Sequence, residues 1–234
     1  MQKVYFFLLT ILLVSACSGT RKPSVQEQRA LKQEQDSLAL LQHEHSIAYH
    51  DSLLSILELQ RDSLLSLFDY THHKDYEDAG HYVHKRLTVS RNLERCYISA
   101  EVSDKRELSL IAHYVGSYPI HAHSIRVSVD SMETSERVHN HAYQTAEQYY
   151  ERLTAEGETA VRLMHFLAMD NSRRFRIELT GDKSRYRFAL TEDDRQALTE
   201  TYRLYVILCD IDESMQHFTQ HSTQAQKYRK RLKK

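Results

Sequence analysis

The feature that most constrains the fold is a long stretch without helix breakers, from residue 24 to about residue 70. It contains no glycine or proline and is rich in leucine, glutamine, glutamate and alanine, which are good helix formers. A D-S-L motif recurs at Asp36, Asp51 and Asp62, and these spacings are close to whole numbers of helical turns. The sequence therefore predicts one long amphipathic helix over residues 26–71. Its apolar stripe consists of Leu31, Leu38, Leu41, Leu53, Leu57, Leu64 and Leu67.

Two roles fit this helix. It can act as a coiled-coil spacer that forms a homo-oligomer, or as an arm that folds back over the rest of the chain, and the leucine spacing leaves both open. Residues 26–70 carry eight acidic and three basic side chains. This excess of acid argues against adhesion of the helix to an anionic membrane.

The N-terminus has the pattern of a secretory signal. Lys3 precedes an apolar run over residues 4–14, which is too short to cross a bilayer, and Ser15, Ala16 and Cys17 follow it. The V-S-A-C sequence resembles the lipobox of bacterial lipoproteins, in which the cysteine is acylated and becomes the first mature residue. The alternatives are an ordinary signal peptide or a buried apolar helix. The sequence predicts a signal peptide over 1–16 and a lipidated linker over 17–25.

Acylation at Cys17 would attach the protein to a membrane through its lipid. Each buried acyl CH₂ contributes about 0.8 kcal/mol, so two or three chains such as palmitate hold a protein effectively permanently. By resemblance to Gram-negative lipoproteins, Ser18 after the cysteine favours the outer membrane, and the absence of an acidic tag in S-G-T-R-K favours the periplasmic side. The expected location is the cell envelope, at the outer membrane facing the periplasm.

Residues 72–212 have the pattern of an α+β globular domain. Hydrophobic residues alternate with polar ones over 96–102, 108–114 and 125–129, which is typical of half-buried strands. Further strands are expected near 133–139, 173–179 and 185–190. Together these segments predict an antiparallel, sandwich-like sheet with packed helices, preceded by the long N-terminal helix.

Two helices interrupt the strands. One, between Gly157 and Asn171, has an apolar face made of Ala160, Leu163, Met164 and Leu167. The other begins at Thr191, a helix-capping residue followed by three acids, and its inward face is Leu198, Tyr202, Tyr205 and Cys209. The segment 142–153 fits either a helix or, in part, a strand.

The last segment, 213–234, is polar and ends in a basic run. Residues 222–234 carry six basic side chains and no acidic one. The simplest interpretation is a disordered, solubilising tail, and the alternatives are contact with anionic lipid, with another anionic or protein partner of the envelope, or with the acidic first helix. Nucleic acid is not an expected partner, because the net charge is −1 and the expected location excludes it.

Two segments resemble a domain of uncharacterised small bacterial lipoproteins. They are L-S-L-I-A-H-Y-V-G, with the strand after it, and G-D-K-S-R-Y-R-F-A-L-T-E-D-D-R-Q-A-L-T-E-T-Y. The resemblance covers roughly residues 96–211. It implies an antiparallel sheet with helices and no known activity. Relatives often carry a tryptophan after the Y-x-G motif, whereas this chain has Tyr118, Pro119 and Ile120 there and contains no tryptophan.

The motifs of several catalytic classes are missing from the sequence. Only five glycines are present and none are clustered, which argues against phosphate-binding loops. No G-x-S-x-G motif marks an acyl-transfer serine, and His43-Glu44-His45 lacks the spacing of the H-E-x-x-H zinc motif. We therefore expect a protein that is not an enzyme, with no catalytic residues and no cofactor.

Histidine is unusually frequent, with fifteen residues. Two H-x-H pairs, His121 with His123 and His139 with His141, lie in strand-like segments, where residues two apart share a face. If the two strands were neighbours, the four imidazoles could bind Zn, Cu or haem iron, and this is the alternative function. The simpler interpretation is that all four are solvent-facing polar residues.

Two cysteines besides Cys17 remain in the chain. Cys96 and Cys209 could pair in an oxidising periplasm, but both also suit small buried core positions. Buried thiols are favoured over a disulfide. The sequence thus predicts a non-catalytic, membrane-anchored envelope lipoprotein with a structural or interaction role.

Overall fold

The structure, a computed structural model, describes residues 24–72, 80–89, 96–145, 147–169, 174–182 and 184–233. The described chain forms two compact units. The smaller unit, called here the helical unit, contains residues 24–49 and 217–233, and the larger one, called the core unit, contains residues 50–216. The expected signal peptide, Cys17 and most of the expected linker lie outside the described residues.

The described residues form four helices and ten strands. The helices are α1 (Val25–Leu65), α2 (Lys85–Val89), α3 (Gly157–Ala168) and α4 (Glu192–Leu232). The strands are β1 (Phe68–His72), β2 (Gly80–His84), β3 (Tyr97–Ser103), β4 (Leu108–Gly116), β5 (Ala122–Val129), β6 (Met132–Arg137), β7 (His139–Gln144), β8 (Tyr149–Glu156), β9 (Arg176–Gly181) and β10 (Arg185–Ala189). None of the helices described is long and apolar enough to span a membrane.

The strands of the core unit form two antiparallel sheets. The first has six strands in the order β1-β2-β3-β4-β8-β7, and the second has four in the order β10-β9-β5-β6. Their buried side chains belong to one hydrophobic core, to which Ile98, Leu110 and Leu153 come from the first sheet and Ile125 and Ile177 from the second. The expected α+β class is therefore confirmed.

Helix α3 packs through the face that the sequence predicts. Its buried side chains are Ala160, Leu163, Met164 and Leu167. Because these positions repeat with the helical period, one apolar stripe enters the core while the opposite face meets water.

The start of α4 also follows the sequence prediction. The Thr191 hydroxyl oxygen accepts a hydrogen bond of 3.1 Å from the Asp194 backbone N–H, and three acids occupy the first turn. This capping explains the paired carboxylates of Asp193 and Asp194. Leu198 is fully buried, whereas Tyr202 and Tyr205 are half-buried. The most deeply buried face of the helix is rotated toward Thr201 and Leu204, Leu208 and Ile211.

The leucine stripe expected along α1 divides into two parts. Leu57 and Leu64 are buried in the core unit, and Leu53 packs against the same core. By contrast, Leu31, Leu38 and Leu41 in the helical unit are exposed, as is Leu67 beyond the end of the helix. The helix ends at Leu65 instead of residue 71, since Phe68–His72 forms β1 and pairs with β2.

The segment 142–153, left open by its sequence, is not a helix. It belongs to β7 and β8, which are paired antiparallel, and the rings of Tyr143 and Tyr150 stack across the two strands with centroids 4.8 Å apart. Thr145 and Gln148 close the turn, with the Thr145 hydroxyl accepting the Gln148 N–H at 3.2 Å. Cross-strand aromatic pairing therefore outweighs the helical spacing of the alanines.

The expectation of a free tail over 213–234 is wrong. Helix α4 continues through this segment to Leu232, and in the helical unit it lies antiparallel to α1. Ala225 is only 1% exposed. Arg229 lies 2.8 Å from the Glu44 carboxylate and Arg231 lies 3.8 Å from that of Asp36. Two arginines of the tail face acids of the first helix, which is one of the alternatives that the sequence allowed.

Candidate functional site

The core unit has a cleft of about 920 Å³ on its surface. We call it the sheet cleft, since most of its lining belongs to strands of the six-stranded sheet. The lining residues share a polar character, with one buried leucine among them. They are His81, Glu101, Lys105, Arg106, Glu107, Leu108, Ser109, His141, Arg152, Thr154, Glu156, Gly157 and Tyr205.

Strand register brings these residues together from distant parts of the sequence. Glu101 of β3 is opposite Ser109 of β4, which is in turn opposite Glu156 of β8. Side chains of directly paired residues lie on the same face of a sheet. One row of the cleft therefore comes from three strands and carries a carboxylate at each end.

A second row adds cationic and aromatic groups. Arg152 of β8 is opposite His113 of β4 on one side and His141 of β7 on the other. The His113 ring stacks on that of Tyr97 with centroids 4.3 Å apart and an angle of 19° between the planes. The flat surface next to the cleft thus continues from Arg152 to an aromatic pair.

The β3–β4 turn forms a rigid wall of the cleft. The Ser103 hydroxyl oxygen accepts hydrogen bonds from the backbone N–H groups of Lys105, at 3.2 Å, and Glu107, at 3.1 Å. Arg106 adopts the left-handed conformation, with φ of 63°, and its guanidinium is fixed by the Asp212 carboxylate at 3.1 Å. These contacts hold the backbone of the turn and the Arg106 side chain in place before any ligand binds.

The charges that line the sheet cleft are balanced. Three are cationic, from Lys105, Arg106 and Arg152, and three are anionic, from Glu101, Glu107 and Glu156. His81 lies against one of the acids, with its Nδ1 4.0 Å from the Glu101 carboxylate. A lining of both signs does not attract a polyanion, but it suits a ligand that itself carries both signs, such as a polypeptide.

The structure does not bring the two H-x-H pairs together as metal ligands. His121 precedes β5 and His123 lies in it, in the four-stranded sheet, whereas His139 and His141 lie in β7 of the other sheet. All four are exposed, and His123 lies 3.5 Å from the Asp182 carboxylate. Within the part of the chain that the structure describes, no group of three donors suited to a metal includes any of them.

The contact between β5 and β7 is made by the residues that lie between the histidines of each pair, Ala122 and Asn140. Asn140 donates its side-chain N–H groups to the Ala122 carbonyl and to the Glu151 carboxylate, both at 2.8 Å. Asn140 is opposite Leu153 and lies on the same face of the sheet. Because side chains alternate along a strand, its two histidine neighbours lie on the opposite face. His141 lines the sheet cleft as a result.

Glu151 is a structural residue that sequence reasoning missed. It is 2% exposed, and its carboxylate accepts the backbone N–H groups of Ile120, His121 and Ala122 at 2.7 to 2.8 Å. The signal that could have revealed it is its place in the inward alternation with Leu153 and Ala155. A carboxylate at such a position needs several hydrogen bonds, because burying it without partners is unfavourable.

The two cysteines of the core unit are unpaired thiols, as expected, but each is half-buried instead of fully buried. The Cys96 sulfur lies 3.3 Å from the backbone nitrogen of Val115. Burial raises the pKa of the Cys209 thiol, which makes it a weaker nucleophile than an ordinary cysteine at neutral pH.

No family model matches this chain, and no curated protein or solved structure is significantly similar to it. The functional interpretation of the sheet cleft is therefore based on its geometry alone.

Proposed function

We propose that this chain is a non-catalytic lipoprotein of the cell envelope. It is anchored by acylation of Cys17, most simply in the outer membrane facing the periplasm, and binds a polypeptide partner in the sheet cleft. The observation that carries the interaction role is the balanced set of charges, brought together by strand register and by the β3–β4 turn. The anchor rests on the V-S-A-C sequence.

The surroundings of the cleft support binding of a protein. Arginine and tyrosine are enriched at protein interfaces, where they provide large contact areas and directed hydrogen bonds. Arg152 lines the cleft, and the stacked pair of Tyr143 and Tyr150 lies on the neighbouring register positions of β7 and β8. Tyr143 is 51% exposed, so a partner could cover it.

Site-specific crosslinking in intact cells tests the interaction. A photo-crosslinking amino acid placed at Glu156, which is exposed in the cleft, should yield a discrete adduct with one polypeptide. The control position is Arg176, exposed on β9 of the other sheet. The variant Arg152→Glu, which changes the charge balance, should reduce the adduct at position 156 at least tenfold. An adduct of equal yield at both positions, or one insensitive to Arg152→Glu, would remove the cleft as the binding surface.

Self-association through α1 is a second proposal about partners. Leu31, Leu38 and Leu41 are 52 to 61% exposed on one helix, which is a large apolar area for a solvent face. Light scattering of the whole chain should show dimers as concentration rises. Replacing the three leucines with serine should restore the monomer, whereas serine at Ile56 and Leu59, exposed in the core unit, should not.

A further inference from the structure

The helical unit carries an excess of positive charge. Its residues 24–49 and 217–233 contain seven basic and four acidic side chains, a net charge of +3 with neutral histidines. The whole chain has a net charge of −1, so the excess is local. It comes from the end of α4, which has five basic residues and no acid between 217 and 233.

Two of the basic residues at this end of α4 are paired with acids. Arg229 and Arg231 are paired with Glu44 and Asp36 within the unit, so they neutralise acids of α1. Arg231 also lies over the Tyr228 ring, 5.4 Å from its centroid. Both arginines therefore have an acidic partner within the unit.

The three described lysines of the same segment differ from these arginines. Lys227, Lys230 and Lys233 are exposed, and none has an ion-pair partner within the described part of the chain. They are spaced three residues apart, so they project from one side of the helix end. We call them the lysine face.

The antiparallel arrangement places the lysine face toward the start of α1. Arg231 contacts Asp36, so α4 ends alongside the first third of α1. The first residue of α1, Val25, is only eight positions after Cys17. The lysine face thus lies at the end of the helical unit that is nearest along the chain to the acylated thiol.

We propose that the lysine face binds the phosphate headgroups of the anionic phospholipid bilayer that carries the anchor. This inference rests on the proposed function for its biological setting, although the binding itself does not require acylation. The acidity of α1 argues against membrane adhesion at the sequence level. In the helical unit, however, Asp36 and Glu44 are paired with arginines, and the two other acids, Glu27 and Glu34, are outnumbered by the basic residues of the unit. A basic cluster next to an acyl anchor provides a second membrane contact that is sensitive to salt.

Vesicle sedimentation of an unacylated protein tests the proposal. The chain from residue 17 onward, carrying Cys17→Ser, is mixed with vesicles of phosphatidylcholine alone or of phosphatidylcholine with phosphatidylglycerol. We expect binding to the second kind only, weakening as salt is raised because screening shortens the range of the attraction. Lysine contacts contribute about fivefold each, about 1 kcal/mol, so Lys227→Gln with Lys230→Gln and Lys233→Gln should weaken binding roughly a hundredfold.

The matched control removes the same charge from the core unit. Arg137, Arg174 and Arg176 are exposed there, and their triple replacement by glutamine should leave vesicle binding unchanged. Equal loss in the two triple variants would show a nonspecific charge effect and would overturn the proposal, as would binding that the lysine variant retains. Binding to lipopolysaccharide micelles but not to phosphatidylglycerol would also overturn the phospholipid assignment.

The test separates this inference from the anchor. Binding of the Cys17→Ser chain to anionic vesicles reports only on the lysine face, whereas acylation is measured on the unmodified chain in cells. Acylation of the unmodified chain, together with normal vesicle binding by a Cys17→Ser chain that lacks the three lysines, would refute the lysine face alone. If the unmodified chain carries no lipid in cells but the Cys17→Ser chain binds vesicles through its lysines, the anchor alone is refuted.

Discussion

Asn140 donates a hydrogen bond of 2.8 Å to the buried Glu151 carboxylate, and this pair joins the beginning of β5 to the six-stranded sheet. Glu151 also accepts three backbone N–H groups of residues 120–122, where the chain enters the other sheet. At the same place the Gly181 backbone approaches so closely that a Cβ atom on it would lie 1.8 Å from the Ile120 carbonyl oxygen. The junction between the two sheets therefore depends on one carboxylate and one glycine.

Glu151→Gln should destabilise the core unit. An amide keeps only one acceptor oxygen, so its NH₂ group would face a backbone donor and the charge-assisted bonds would be lost. We expect the free energy of unfolding in urea to fall by about 2 to 3 kcal/mol. Glu156→Gln, at an exposed position of the same strand, is the control and should change it by less than about 0.5 kcal/mol. Equal effects of the two variants would show that the Glu151 hydrogen bonds contribute little.

Stability should fall as pH drops below the ordinary range of histidine because of His84. Its ring is 2% exposed, its Nε2 lies 2.7 Å from the Glu200 carboxylate, and its Nδ1 accepts the Arg86 N–H at 3.2 Å. Burial lowers the pKa of His84 below 6.5 despite the hydrogen bond to Glu200. The unfolded chain then binds the proton more readily, so stability is present above pH 6.5 and is lost as pH falls through the folded pKa.

His84→Gln tests this pH dependence. Glutamine cannot be protonated, so urea unfolding of this variant should lose less stability between about pH 7 and pH 5 than the unchanged protein. His123→Gln, at a half-exposed ring, should keep the original slope. An unchanged slope in the His84 variant would show that the other histidines or the carboxylates determine the acid response.

Ala225→Glu should separate α4 from α1 in the helical unit. Ala225 is 1% exposed, so a glutamate there introduces a large charged group where no space is left. We expect a loss of helical circular dichroism and a lower melting temperature for that unit, equivalent to at least about 2 kcal/mol. Gln226→Glu, exposed on the same helix, adds the same charge and should have little effect. Identical melting of the two variants would restore the free-tail interpretation.

Leu198→Asp should unfold the core unit or come close to it. Leu198 is fully buried, and an unpaired charge at that position is unfavourable by several kcal/mol, comparable with the whole stability of a marginal domain. Arg203→Asp, exposed on the same helix, should retain a cooperative transition. A native-like melting curve for Leu198→Asp would mean that this face of α4 tolerates charge.

Local patterns predicted many of the elements. Alternation over 96–102 and 108–114 identified β3 and β4, and the capping sequence at Thr191 identified the start of α4, because these signals depend only on neighbouring residues. The end of α1 was missed by several residues. There, residues 68–72 form β1 and pair with β2 over residues 80–84, and the helical pattern of the preceding residues gives no sign of this pairing.

The candidate site was not predictable in the same way. The sheet cleft combines residues from β2, β3, β4, β7, β8 and α4, and nothing in the sequence indicates that Glu101, Ser109 and Glu156 form one row. Whether the four histidines could share a metal depended on whether β5 and β7 pair directly, and they lie in different sheets. Asn140 and Ala122, the residues between them, meet instead. The ordered tail likewise required knowledge of the antiparallel contact between Arg229 and Glu44.

Metabolic labelling of the whole chain in Gram-negative cells with a tagged palmitate tests the lipid anchor most directly. The unchanged protein should carry the label and sediment with the membrane fraction, whereas Cys17→Ala should lose the label and either leave the membranes or stay unprocessed. Cys96→Ala, which alters a half-buried thiol of the core unit, should keep the label. A Cys17→Ala protein that is processed normally, unlabelled and still membrane-bound would contradict the anchor, as would an unchanged protein that carries no label.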